Sequence, residues 1–298
     1  MIPELRLKLE SLGTELSPAM LQGTSALLAA MAAPRDPDVA IERDHRYGPD
    51  ARNRLDVFRR GSPDGAPVLV YVHGGGFVMG DKTAPGSPFY DNIGQWAAHQ
   101  GYVGVTLTYR LAPQNRWPSG PQDLALAVRW LRDNIATRGG DPQRIVLMGQ
   151  SAGATHVAGY VSQTRFHADD DPGVAGAVLV SGIYDPMTQP ANPFAAAYYG
   201  EQPATRLEAR TVDGLLATTV PLLFSVSEFD PQDFQDQAAQ LARAWHDAKR
   251  EYAPLEYLAG HNHLSPAQAI GGAADDLGPR VAAFIAARTG GDPVVSRV

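Results

Sequence analysis

The chain has 298 residues and no cysteine, with 25 Lys+Arg against 32 Asp+Glu for a net charge of −7. The missing cysteine excludes disulfide scaffolds, Cys-ligated zinc and thiol nucleophiles, and the acidic balance argues against a broad nucleic-acid footprint. At 44% hydrophobic and 19% charged residues, the composition is that of a globular protein large enough to bury its own core.

Residues 4–32 read as helical. Ser17 before Pro18 is an N-cap followed by proline at the first helical position, and Leu21, Leu27, Leu28 and Met31 supply an apolar face. The apolar run 26–33 falls well short of the ~20 residues a bilayer span needs. The first residues lack a basic stretch followed by an apolar one, so no signal peptide and no membrane insertion are expected, and the default location is cytoplasmic. Residues 41–60 alternate like a hairpin, broken at Gly48-Pro-Asp50.

The pattern then changes. Pro67-Val-Leu-Val-Tyr-Val-His73 is a continuous apolar run, the mark of a strand buried on both faces. Similar runs recur at 102–109, 144–149, 174–181 and 220–227, with a last candidate at 255–258. Helical spacing appears over 121–136 and 231–250, and residues 273–287 close the chain as a helix. Strands alternating with helices predict an α/β fold with a mostly parallel sheet covered on both faces. The tail at 290–293 is expected to fray.

Four segments carry chemistry. His73-Gly-Gly-Gly-Phe77 follows a buried strand and matches neither a phosphate loop nor a dinucleotide fingerprint. A tight turn explains it, but a cradle of backbone N–H groups for an oxyanion fits better. Gly149-Gln-Ser-Ala-Gly153 matches G-x-S-x-G between a strand run and a helix, the setting of a nucleophile elbow that would expose Ser151.

A serine needs a base, and the base needs an orienting carboxylate. Glu228-Phe-Asp230-Pro231 follows a strand. Asp230 is the chosen acid with Glu228 as rival, although Asp before proline is also a good helix N-cap. Gly260-His-Asn-His263 offers two candidate bases that the residues alone do not separate, and no third ligand suggests a metal pair. His45, His99, His167 and His246 read as surface residues, His156 as packed, and His73 as ordering the glycine loop. Asp169-Asp-Asp171 reads as a solvated charge run.

In this order the segments resemble the α/β-hydrolase superfamily, specifically the group of hormone-sensitive-lipase-like esterases and small bacterial carboxylesterases. Tyr109-Arg-Leu-Ala-Pro113 and Trp117-Pro118 leading to Asp123 add to the likeness, which runs over residues 41–288. The resemblance implies Ser151 as nucleophile, Asp230 as acid and His263 rather than His261 as base. It implies Gly75, Gly76 and Ala152 as backbone oxyanion donors. It also implies that residues 1–40 form a helical cap segment on a catalytic domain spanning 41–298. Three departures stand out: Gln150 where those relatives carry Asp or Glu, Gln232-Asp233 after Asp230-Pro231, and the doubled histidine.

The expected activity is hydrolysis of small to medium soluble carboxylic esters through an acyl-enzyme, with no metal or organic cofactor. Phe77, Val78, Met79, Tyr184, Phe194, Tyr198 and Tyr199 are candidate pocket walls. The same triad would serve an arylformamidase or other amidase, and a non-catalytic ligand receptor is the remaining alternative. A homodimer through an edge strand or the last helix is the one assembly considered.

Overall fold

The computed structural model describes residues 1–290. The fraying expected for 290–293 falls, after Gly290, outside them. Two helices, α1 (Pro3–Ser11) and α2 (Pro18–Ala29), make up the helical stretch expected over 4–32. Gly13 takes a left-handed φ of 78° that ends the first. Ser17 then restarts the helix as expected, its side chain accepting from Met20 N–H at 3.2 Å. The buried stripe of α2 is Met20, Thr24 and Leu28, with Leu27 and Met31 of the expected face packed partly buried beside Leu28.

Strands β1 (Val39–Arg46) and β2 (Arg54–Arg60) form the expected hairpin, with Ile41 opposite Phe58. Strand β3 (Ala66–Val72) follows. Helix α3 (Asp91–His99), not foreseen, buries Ile93, Trp96 and Ala97 on one face. Strand β4 (Val103–Leu107), helix α4 (Ser119–Asn134), strand β5 (Gly140–Gln150), helix α5 (Ala152–Ser162) and strand β6 (Gly176–Val180) continue the alternation. Residues 182–219 then carry three short helices, α6 (Pro193–Tyr199), α7 (Pro203–Glu208) and α8 (Val212–Ala217). Strand β7 (Leu222–Phe229), helix α9 (Gln232–Lys249), strand β8 (Leu255–Asn262) and helices α10 (Ser265–Ala269) and α11 (Gly278–Thr289) complete the described chain.

The eight strands make one sheet in the order β1-β2-β4-β3-β5-β6-β7-β8. The β1–β2 and β2–β4 pairs are antiparallel and the rest parallel. The continuous apolar runs have a simple cause. Successive side chains point to opposite faces, and both faces are covered. Val68, Val70, Ile145, Leu147 and Leu179 pack with Leu124, Val157, Leu215 and Leu241 of α4, α5, α8 and α9. Leu69, Tyr71, Val146, Met148 and Val178 pack with Trp96, Val281 and Ile285 of α3 and α11. Each fully buried aliphatic side chain contributes ~1.5–3 kcal/mol.

The first two helices lie beside the carboxyl end of β8. Leu5, Leu9 and Leu28 pack with Phe89, Ala269 and Ala274. Arg6 pairs with Glu228 at the end of β7, and Asn262 donates to Thr24 Oγ1 at 2.7 Å. Among the described residues no helix is long and apolar enough to cross a membrane.

Candidate functional site

Ser151 sits between the last residue of β5 and the first of α5, at φ 55° and ψ −120°. A non-glycine residue there is strained by ~1–3 kcal/mol and must be held. Its N–H donates to Val180 O at 2.8 Å and its carbonyl accepts from Thr155 N–H at 3.0 Å. The flanking glycines are sterically required. A Cβ on Gly149 would overlap Gly153 O, and one on Gly153 would overlap Val72 O.

Asp230 follows β7 and is fully buried. Its Oδ2 accepts from Ser227 N–H at 2.6 Å and from Ser181 Oγ at 2.7 Å. Its Oδ1 lies 2.7 Å from His263 Nδ1. The carboxylate therefore faces the histidine and does not cap α9. With Asp230 ionised, the imidazole proton rests on Nδ1 and Nε2 offers a lone pair. That Nε2 is buried and, among the described residues, has no protein hydrogen-bond partner. Phe234 backs the ring at a centroid distance of 4.3 Å.

The rivals point elsewhere. Glu228 is bound by Arg6 (Nη2 to Oε1, 2.8 Å) and by Gly260 N–H at 2.7 Å. Arg6 and this N–H hold its carboxyl down at about 2. His261 has both ring nitrogens engaged, by Ser265 Oγ at 2.9 Å and Asp276 at 3.1 Å.

The glycine loop leaves β3 and runs against the elbow. A Cβ on Gly74 would stand 3.2 Å from Ser151 Cβ. Gly75 and Gly76 take φ 122° and 59°, which brings the N–H groups of Val78 and Met79 onto Gly75 O at 3.2 and 3.1 Å. Among the described residues, the N–H groups of Gly75 and Gly76 donate to no protein acceptor. Ala152, first in α5, has no intrahelical acceptor for its N–H either. Beneath the loop, His73 Nδ1 lies 2.6 Å from Gly74 O, and Tyr109 Oη donates to His73 O at 2.9 Å. Burial pushes His73 down to about 4 and His156 down to about 3, so both stay neutral near pH 7.

The candidate wall residues divide. Phe77 stacks on Tyr198 at 4.4 Å, edge-on to Tyr199, in a cluster that includes Ala152 and receives Val78. Phe194 is half-buried over the glycine loop, where a Cβ on Gly76 would meet its ring at 2.8 Å. Met79 is 52% exposed at the loop's outer turn. Tyr184 is as buried as Tyr198 and Tyr199, but its ring packs on Phe224 inside the main cluster rather than beside Phe77. Sequence reasoning missed Ser181, whose hydroxyl holds Asp230. Its one signal was its place at the end of a strand run.

Residues 69–265 match the family described as alpha/beta hydrolase fold. A probable carboxylic ester hydrolase, LipM of Mycobacterium tuberculosis, is 31% identical over 245 residues, covering 80% of this chain and 52% of the relative. Esterase LipC of the same organism is 34% identical over 206 residues, covering 62% and 50%. The chain thus spans about half the length of these curated relatives. A hyperthermophilic esterase from the archaeon Pyrobaculum calidifontis has a similar structure, with TM-score 0.71, 23% identity and coverage of 96% and 97%. At that identity the likeness speaks for the fold. The family match and the mostly parallel sheet with its strained strand–serine–helix turn agree, and the chain belongs to the alpha/beta hydrolase fold family.

Proposed function

We propose that the protein is a serine carboxylesterase acting on small to medium soluble carboxylic esters, with Ser151, Asp230 and His263 as its triad. The observation that carries this reading is the buried His263, tied to Asp230 through Nδ1 and, among the described residues, without a partner at Nε2. The relatives named as ester hydrolases support the choice of bond.

In this reading His263 Nε2 takes the Ser151 proton as Oγ bonds to the ester carbonyl carbon. Negative charge moves to the carbonyl oxygen, where the N–H groups of Gly75, Gly76 and Ala152 receive it. The C–O bond to the alcohol then breaks, and His263 returns its proton to the leaving oxygen. Water, deprotonated by the same nitrogen, hydrolyses the acyl-enzyme and restores Ser151. Asp230 stabilises the imidazolium and fixes its tautomer. No step calls for a metal or organic cofactor. Phe77, Phe194, Tyr198 and Tyr199 wall the pocket, and α1 and α2 act as a cap segment braced on the acid and histidine loops. The cytoplasmic location expected from the sequence remains part of this proposal, to be tested by cell fractionation, and a solution mass decides between monomer and homodimer.

The test is hydrolysis of p-nitrophenyl esters from acetyl to dodecanoyl, with an N-formyl aromatic alongside, by wild type and Ser151→Ala. Wild type is expected to prefer the shorter esters, and the variant to lose about three or more orders of magnitude in kcat. Turnover by Ser151→Ala at the wild-type rate would refute the reading, and preference for the formamide would replace esterase by amidase.

A further inference from the structure

Gln150 is the last residue of β5, paired with Val180 and directly before Ser151, and is 2% exposed. Its Nε2 donates to the carbonyl oxygen of His263 at 2.8 Å, a buried bond between residues 113 positions apart. Its other end lies against the glycine loop: a Cβ on Gly74 would overlap Gln150 Oε1. One side chain therefore touches the loops that carry the base and the candidate oxyanion donors, and it adjoins the nucleophile in sequence. The bond needs a donor, since the acceptor is a carbonyl. An ionised Glu or Asp here would set an anion against the His263 carbonyl oxygen.

We propose that Gln150 is a positioning residue whose amide holds the His263 backbone, and through it sets Nε2 against Ser151. This rests on the triad reading above. The amide bonds to the His263 carbonyl and so acts through the main chain that bears the ring. An Nε2 displaced by a fraction of an ångström spoils proton transfer while leaving ester binding nearly intact.

The test measures kcat and KM for p-nitrophenyl butyrate over about pH 5 to 9. It compares wild type, Gln150→Met, Gln150→Asn and Gln150→Glu, with thermal unfolding alongside. Met fills the same space without a donor, and Asn keeps an amide too short to reach. Both are expected to lose about tenfold in kcat with KM within about twofold. Glu supplies the second readout. Protonated, its carboxyl donates to the His263 carbonyl as the amide does; ionised, it cannot. The Gln150→Glu to wild-type ratio of kcat should rise toward one as pH falls, and drop to or below the Met level as pH rises. Wild type and Gln150→Glu share every other ionisable group, so the ratio isolates position 150.

Wild-type kcat in Gln150→Met, or a Gln150→Glu ratio that does not change with pH, would overturn the proposal. If Met fails to fold, Asn and Glu carry the same decision. Wild type inactive on every ester would sink the triad reading and this proposal together. Active wild type with indifferent variants sinks the proposal alone.

Discussion

Glu228 and Asp230 stand at the same strand end and bind in different directions. Glu228 reaches Arg6 of the first helix, whereas Asp230 reaches His263. The cause is a turn after β7, closed by Asp230 N–H on Ser227 O at 3.2 Å, which rotates the second carboxylate off the strand's own alternation.

Under the proposed triad, that divergence should separate the two carboxylates in function. Asp230→Asn should lose about four orders of magnitude in kcat, as a triad does when its histidine tautomer is no longer fixed. Glu228→Gln should keep kcat within about threefold and lose up to ~1 kcal/mol of stability, since its ion pair is part-exposed. Steady-state kinetics with urea unfolding reads both, and an inactive Glu228→Gln beside an active Asp230→Asn would transfer the acid role.

The two histidines should part in the same way. His263→Ala is expected to abolish ester turnover with little change in fold. His261→Ala should retain it but destabilise the protein by ~1–3 kcal/mol, because Ser265 and Asp276 lose a buried partner. Rate and melting temperature measured on the same samples decide this; a dead, well-folded His261→Ala would count against His263 as base.

Gly76 and Phe194 meet face to face, so their substitutions should be coupled. Gly76→Ala adds a methyl into the Phe194 ring at a left-handed φ of 59°, and a loss of about a hundredfold in kcat is expected. Phe194→Ala should shift preference toward longer acyl chains. The double variant should recover part of the loss, since the overlap is relieved while the backbone strain of ~1–2 kcal/mol remains. Equal losses in single and double variants would show that the ring plays no part.

Acid should unfold the protein through its two buried neutral histidines. His73 and His156 have an ordinary value of 6.5 and are pushed by burial to about 4 and about 3. The unfolded chain therefore binds protons first as pH falls. Their contribution is whole above about pH 6.5 and declines below it, by up to ~1.4 kcal/mol per pH unit for each histidine. Chemical unfolding at a series of pH values should show this slope, shallower in His156→Leu; an unchanged slope would remove His156 from the account.

Local chemistry is what the sequence determined by itself. Unbroken apolar runs announce strands covered on both faces, and Ser17-Pro18 announces a helix start. The glycines around Ser151 announce a strained turn, because crowding within a few residues demands them. Choices between locally equivalent residues were left to the tertiary structure. Glu228 or Asp230, His261 or His263, and Tyr184 as wall or core differ in the direction of a side chain and in a partner far away in the chain. Neither Ser181 nor Gln150 carries a local signature of the partner it binds, since 49 and 113 positions separate the bonded pairs. Only the packing of the sheet, which brings the carboxyl ends of β5, β6, β7 and β8 side by side, makes those residues neighbours.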